Sequence, residues 1–337
     1  MQRTILITGG AGFIGTNLAD FYLNDNNVII FDNLSRAHVE DNLAWLKNRP
    51  HAKNLEFVEG DVRDATALAE VVNKAQVIFH EAGQTAVTTS LVNPQEDFSV
   101  NALGTVNVLE AMRLHNPEAA LIFASTNKVY GNLESFSLVE QEKRYVPQGI
   151  QAVSEAQPLD FHSPYGCSKG SADQYVRDYS RSFGLQTVVF RQSCIYGVHQ
   201  MGVEDQGWVA HFAAKAIKKE PITIYGNGKQ VRDLLYIDDL VAAYDQALKH
   251  IDTASGEIYN IGGGVTNAFS LLEVIALLEK SLGRGIDTSF SPERVGDQKY
   301  YVSDCAKAHK DFGWQATTPI ETGLDSLIKW LSHYLNR

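Results

Sequence analysis

Two hydrophobic rhythms alternate through the amino-terminal half of the chain. Short apolar runs have the length of buried strands: Ile5-Leu6-Ile7, Val28-Ile29-Ile30-Phe31, Leu55-Glu56-Phe57-Val58, Val77-Ile78-Phe79-His80, Ala120-Leu121-Ile122-Phe123-Ala124 and Thr187-Val188-Val189-Phe190-Arg191. Between them lie segments with helical spacing, first Phe13, Ile14, Leu18, Ala19, Tyr22 and Leu23, then Asn101 to Ala111 and Ser163 to Phe183. Strand and helix in alternation predict an α/β fold, a doubly wound parallel sheet with helices on both faces. Residues 131–158 are polar and irregular, which reads as a flap. After residue 195 the elements shorten, and turn signals such as Gly226-Asn227-Gly228 and Gly262-Gly263-Gly264 appear. The chain therefore divides into residues 1–195, a sheet domain, and 196–337, a smaller mixed α/β substrate lobe whose interleaving with the first is left open.

The ends of the apolar runs carry the first chemistry. The run Ile5-Leu6-Ile7-Thr8 leads into Gly9, Gly12 and Gly15, spaced G-x-x-G-x-x-G, and a helix pattern begins at Phe13 and Ile14. Strand, glycine turn and helix start together point to a dinucleotide site. Gly9 permits the turn, Gly12 lets backbone approach a pyrophosphate, and Gly15 lets helix pack on sheet. Free N–H groups at the helix start face the diphosphate. An ordinary glycine-rich turn has the same spacing. Asp32, 17 residues after Gly15, can accept from adenosine ribose hydroxyls and would repel a 2′-phosphate, which favours NAD. Arg36, able to meet that phosphate, keeps NADP open. Asp61, with Val62 behind it, ends the third run where an adenine would lie. Ala82, Gly83 and Gln84 end the fourth, and their small residues admit the cofactor; they read equally as turn residues.

Tyr165 and Lys169 stand four apart, on one face of a helix that Pro164 opens. A free phenol titrates near pH 10 and is a poor base at neutral pH. A neighbouring ammonium and an oxidised nicotinamide stabilise the phenolate. The spacing alone is common on structural helices; behind a dinucleotide loop it points to catalysis. Ser125 and Thr126 end the strand before the flap, where a hydroxyl could bridge substrate and Tyr165 or serve as a cap.

Charge and cysteine content narrow the partners. The chain has 29 Lys and Arg against 40 Asp and Glu, a net charge of −11, with no basic run, which argues against nucleic acid and membrane surfaces. Cys167, Cys194 and Cys305 show no metal spacing, and three thiols cannot all pair, so no metal is expected. Residues after Met1 run straight into a strand, and no apolar run has the length of a membrane span. The expectation is a soluble, cytoplasmic protein.

Taken together, these motifs resemble an extended short-chain dehydrogenase/reductase of the NAD-dependent sugar-nucleotide epimerase/dehydratase family. The resemblance rests on Gly9, Gly12 and Gly15, on Asp32, Asp61, Asn101, Thr126, Tyr165, Lys169 and Arg191, and on Gly226 to Asp233, Asp238-Asp239 and Tyr259 to Gly262. It implies a Rossmann domain holding NAD, a nucleotide-sugar lobe, and a homodimer or homotetramer. It implies Tyr165 as base, Lys169 as its partner and Thr126 as the hydroxyl that meets the reacting sugar. Asn33, Ser35, Asn101 and Ser125 join the implied cofactor set. Asn127, Arg191, Ser193, Gln206, Arg232, Arg294 and Asp297 are the implied substrate set, with Arg232 and Arg294 meeting the diphosphate and Asp297 the nucleoside ribose. On residue type alone, those last three read equally as surface ion pairs. His162 and His199 read as structural, and Trp208 as either a stacking platform or core.

The reaction is chosen by a departure. Family members that dehydrate sugars carry Asp-Glu directly after the threonine, whereas this chain has Asn127-Lys128. No cysteine or lysine suits a double oxidation of a primary alcohol either. Epimerisation needs only tyrosine, lysine, threonine and NAD. The blocks 125–131, 32–36, 159–169 and 205–209 resemble the branch that inverts C-2 of CDP-hexoses. The alternatives are a UDP-hexose or UDP-uronate 4-epimerase, a reductase that releases its cofactor, and a non-catalytic NAD-binding regulator or scaffold.

Overall fold

A computed structural model of the chain describes residues 2–294 and 296–336. Seven parallel strands form its central sheet. Five come first: β1 (Thr4–Thr8), β2 (Asn27–Asp32), β3 (Leu55–Glu59), β4 (Val77–His80) and β5 (Ala120–Thr126). Gln186–Gln192 and Ile258–Ile261 complete it, in the spatial order Ile258–Ile261, Gln186–Gln192, β5, β4, β1, β2, β3. The expected doubly wound sheet is the observed one. Chain order reverses between β1 and β4, which opens a crevice at the carboxyl ends of those strands.

Side-chain alternation explains why this sheet is covered on both faces. Ile5, Ile7, Val28, Ile30, Val77, Phe79, Ile122 and Val188 share one core cluster. Their neighbours Leu6, Ile29, Ile78, Leu121, Phe123 and Val189 share the other. The first cluster runs on through Tyr196, Val209, Phe212, Leu234 and Val274, so residues beyond 195 pack on the same core. One strand beyond 195, Ile258–Ile261, pairs with Gln186–Gln192 in the main sheet. A boundary at residue 195 thus describes the course of the chain but not its packing.

The remaining strands build the smaller lobe. Val231–Tyr236 pairs with Ala268–Ser270, Tyr300–Tyr301 and Cys194–Tyr196. Ile222–Tyr225 pairs with Thr288–Ser291. The flap read as irregular contains a hairpin of Leu138–Glu140 and Tyr145–Pro147, and Tyr145 N–H donates to the Lys229 carbonyl at 2.9 Å. The helix expected from Asn101 begins as a π-helical turn, Ser99–Leu103, before the α-helix Gly104–His115.

The glycine loop joins β1 to α1 (Phe13–Tyr22) under tight steric limits. A Cβ on Gly15 would lie 2.5 Å from the Gly9 carbonyl oxygen and 2.6 Å from Gly10 Cα, both backbone atoms. Gly15→Ala is expected to destabilise the fold by about 1–3 kcal/mol, as overpacking does, and to lower the bound cofactor fraction. Thermal unfolding, together with the absorbance of cofactor released on denaturation, checks both.

Candidate active site

A cavity of about 370 Å³ opens at the carboxyl edge of the sheet, between the sheet and the smaller lobe. From the sheet side it is lined by Phe13, Ile14, Gly83, Ser125, Thr126, Asn127, Tyr165 and Lys169. From the other side come Ser193, Gln206, Trp208, Arg232, Arg294 and Asp297. The carboxyl ends of the strands bring these distant residues together.

The glycine loop fits a dinucleotide. Gly9 adopts φ +68°, and its N–H donates to the Phe31 carbonyl at 2.8 Å. A Cβ on Gly9 would meet the Ala82 backbone nitrogen at 2.7 Å, so β1 and the segment after β4 touch there. A Cβ on Gly12 would meet only the Gly9 oxygen, at 3.1 Å, leaving open space above the start of α1. That opening, beside a helix whose first turn holds no acid, suits a diphosphate.

Asp32 fits the ribose position by location. Its carboxylate accepts from Ala11 N–H at 3.0 Å and Leu34 N–H at 2.9 Å, and burial raises its pKa. Asn33 donates to Asp61 at 2.9 Å, and Ser35 N–H donates to Asn33 at 3.1 Å. Asp61 receives a two-point contact from Arg63 at 2.8 and 2.7 Å, which holds its carboxyl well below the usual range. Arg36 donates to Thr85 at 3.0 Å and to Gln206, tying the sheet domain to the far wall of the cavity. Val62 is buried against Gly104.

The predicted residues Gln84 and Asn101 form a brace. Asn101 Oδ1 accepts from Gln84 N–H at 2.9 Å, while Asn101 Nδ2 donates to the Gln84 carbonyl and to Ser168 Oγ, both at 3.1 Å. Asn101 is fully buried, so it fixes the loop after β4 to the helix Ser163–Phe183 and does not face the cavity.

Tyr165 and Lys169 lie one turn apart on that helix, which Pro164 opens and Gly184 ends at φ +72°. Ser163, at the helix entrance, sits at φ +65°, an uncommon conformation for serine. Burial pushes the Tyr165 phenol up to about 12; a hydrogen bond with Thr126 opposes the shift, and the Asp97 charge adds to it. Burial lowers Lys169 to about 8, against the pull of Glu81, Asp173 and Asp97. The Lys169 ammonium donates to the Ala124 carbonyl at 2.5 Å and sits 4.3 Å from the centre of the Phe123 ring.

Two predicted residues point elsewhere. Arg191 is not a substrate ligand in this geometry. Its guanidinium is buried, pairs with both oxygens of Asp173 at 2.9 and 2.8 Å, and donates to Tyr130 Oη at 3.0 Å. Ser125 Oγ donates to the same Asp173 at 2.8 Å, so its hydroxyl is spent on the framework even though the residue borders the cavity. The strand pattern around Arg191 shows an arginine reaching the carboxyl edge. It does not show a partner 18 residues earlier.

The substrate wall is more polar. Asn127 donates to Gln298 at 3.0 Å, and Lys128 donates to the Gly296 carbonyl at 3.1 Å. Ser193 Oγ donates to Asp233. Arg232 pairs with Asp297 at 2.6 Å. Arg294 reaches Glu204 at 3.4 Å and Asp205 at 3.3 Å, and lies over the Tyr225 ring at 3.9 Å. Trp208 borders the cavity and donates to Cys194 Sγ at 3.0 Å. His199 packs between the Trp45 and Trp330 rings, and His162 pairs with Asp160 at 3.0 Å. Neither histidine lines the cavity. Glu81, Lys128 and Tyr225 do line it and were not anticipated. For Glu81 the available signal was a lone acid placed directly after a buried strand. Among the described residues, no cluster of His, Cys, Asp or Glu could hold a metal, and no helix is long and apolar enough to cross a membrane.

Comparison with known proteins agrees with this geometry along nearly the whole chain. The pattern of the GDP-mannose 4,6 dehydratase family matches residues 6–327. CDP-paratose 2-epimerase of Salmonella typhi is 45% identical over 97% of this chain and 99% of that protein. The crystal structure of UDP-glucose 4-epimerase from Thermotoga maritima with UDP-glucose superposes with TM-score 0.84 at 30% identity, covering 98% of this chain and 99% of that one. The structure of UDP-glucuronic acid 4-epimerase from Bacillus cereus in complex with UDP-glucuronic acid and NAD gives 0.85 at 27%, with the same coverage. Glycine loop, Tyr165–Lys169 pair and end-to-end likeness converge: the chain belongs to the NAD-dependent sugar-nucleotide epimerase and dehydratase family.

Proposed function

We propose that this protein inverts C-2 of a CDP-hexose, converting CDP-paratose to CDP-tyvelose through a transient 2-keto sugar. CDP-glucose, giving CDP-mannose, is the related substrate. The observation that carries the reading is the dipeptide after Thr126. Thr126, Tyr165 and Lys169 share one cavity wall, but Asn127 and Lys128 bind Gln298 and Gly296 and supply no acid–base pair for removing water. The likeness to the Salmonella typhi CDP-paratose 2-epimerase over nearly the full length of both chains supports C-2 and the cytidine nucleotide.

NAD, held at the glycine loop and Asp32, supplies the hydride acceptor and donor. Tyr165 Oη receives the proton of the sugar 2-hydroxyl as C-2 becomes a ketone, then returns it once the flat sugar has turned over. The Lys169 ammonium stabilises the phenolate, and Thr126 Oγ1 orients the hydroxyl. A 4-ketone acidifies C-3 and C-5 but not C-2, and a 3-deoxy sugar has no 3-hydroxyl to oxidise, so direct oxidation at C-2 is the economical route. Arg232 and Arg294 hold the diphosphate through charge-assisted bonds, and Asp297 faces the nucleoside ribose. Arg294 now pairs with half-exposed carboxylates, and such pairs are weak enough for a diphosphate to replace. Inversion at C-4 of a UDP-hexose is the second reading, favoured by the superposition on 4-epimerase structures.

Several exposed apolar side chains support a homo-oligomer. Leu91, Val92, Phe98 and Leu103 are exposed on segments packed against the helix Ser163–Phe183, which adds Tyr175. A second copy of the chain would cover this face.

Proton NMR of protein incubated with CDP-paratose, CDP-glucose, UDP-glucose and UDP-glucuronate without added cofactor tests the reaction. A manno-configured CDP-sugar is expected; a galacto-configured UDP-sugar would move the assignment to C-4. Tyr165→Phe should lower kcat about 10²–10⁴-fold with cofactor content unchanged, and near-normal turnover would remove the tyrosine from the mechanism. Arg294→Ala should raise KM about 10- to 100-fold with little change in kcat, because the diphosphate is held alike before and during reaction. A Val92→Lys, Phe98→Glu double variant should shift the mass seen by light scattering towards a single chain.

A further inference from the structure

We propose that Glu81 is the counter-ion of Lys169: a positioning residue that keeps the ammonium charged beside Tyr165. Glu81 follows β4 directly, at the switch-point edge of the sheet, and lines the same cavity as Lys169, Ala124 and Gln192. A Cβ on Gly83, two residues on, would lie 3.8 Å from Lys169 Nζ, which places this loop beside the ammonium.

The hydrogen bonds fix what Glu81 is. Gln192 Nε2 donates to Tyr244 Oη at 2.8 Å, and the Tyr244 hydroxyl donates in turn to Glu81 Oε1. Tyr244 is wholly buried, with its ring edge-on to Phe79 at 5.2 Å and to Phe190 at 5.0 Å, so the phenol cannot swing away. Glu81 is therefore anchored at one oxygen, and among the described residues none donates to the other.

Four groups face Lys169, and three are already committed. Asp173, on the same helix, is neutralised by Arg191 and takes a further bond from Ser125. Asp97 accepts from Asn101 at 3.2 Å and from Ser168. His80 bridges Thr8 at 2.6 Å and Thr105 at 3.0 Å, and burial together with the Lys169 charge keeps it neutral. Glu81 alone has neither a cation nor a full set of donors. Lys169 loses hydration by burial and takes its upward pull first from Glu81, then from Asp173 and Asp97. Glu81 in turn rises to about 7 by burial, held down by Tyr244 and Lys169. Each charge thus favours the other where both groups border the cavity.

The sign of the effect follows. Removing a negative charge beside an ammonium disfavours its protonated form, so Lys169 loses its proton at lower pH and ceases to stabilise the Tyr165 phenolate earlier on the alkaline side. The inference takes Lys169 in the role assigned above. Its test therefore pairs an activity readout with one that needs no substrate: the pH dependence of trace acetylation at Lys169 in the NAD-loaded enzyme, read by peptide mass spectrometry. Glu81→Gln is expected to lower the Lys169 midpoint by about one pH unit, with the alkaline limb of kcat/KM for CDP-paratose moving alongside it. Glu81→Asp should recover most of the shift. Tyr244→Phe, which leaves the carboxylate without its donor, should give a smaller shift in the same direction. An unchanged midpoint in Glu81→Gln overturns the proposal even where epimerisation persists. A shifted midpoint in an enzyme that ignores CDP-paratose keeps Glu81 in place and overturns the substrate assignment instead.

Discussion

The pairing of Arg191 with Asp173 is the interaction on which the catalytic geometry hangs. Both side chains are almost wholly buried, and two such charges without each other would cost several kcal/mol. Asp173 stands one helical turn beyond Lys169. Arg191 lies in the strand beside β5, opposite Ser125 in register, and Ser125 donates to the same carboxylate. Tyr130 joins Arg191 to Asn260, on the last strand of the sheet. One ion pair thus sets the helix that carries Tyr165 and Lys169 against the strand that carries Thr126. Tyr165, Lys169 and Thr126 reach the cavity at fixed separations because their supports are tied to one another.

Burial sets the electrostatics of the same region. A tyrosine pushed up to about 12 is a poor base, and a lysine brought down to about 8 is still mostly a cation at neutral pH but gives up its charge within the mildly alkaline range. The framework carboxylates are largely spent on framework donors. Function therefore depends on charges that arrive or persist at the cavity itself, and the loop after β4 and the nicotinamide of a bound cofactor are the places for them. The far wall follows a different logic. Arg232 rests on Asp297, and Arg294 on both Glu204 and Asp205, so every arginine of this wall is balanced by carboxylates of its own lobe.

How far the sequence discloses this depends on the range of each interaction. Strands such as Ile5 to Thr8 and Val77 to His80 are legible because a short unbroken apolar run is a local property, and the glycine loop is legible because its steric demands lie within a few residues. The cavity wall of Thr126, Tyr165 and Lys169 is legible through a spacing and a strand end. Arg191 misleads, because whether a guanidinium meets a ligand or a buried aspartate is settled by a helix elsewhere in the chain. Ile258–Ile261 reads as part of the later lobe, since nothing local tells a strand which sheet has room for it. Glu81 looks like any acid closing a strand until the Tyr244 hydroxyl, 163 residues away, donates a hydrogen bond to it.

Asn127 and Lys128 serve as more than missing acids. They clasp Gln298 and the Gly296 carbonyl, on either side of Asp297, the residue that pairs with Arg232. Replacing them with an aspartate and a glutamate would remove both donors that tie down this segment while installing an acid pair beside Thr126. One dipeptide thus both lacks an acid pair and anchors the cavity wall around Asp297, so a change of the first property disturbs the second as well.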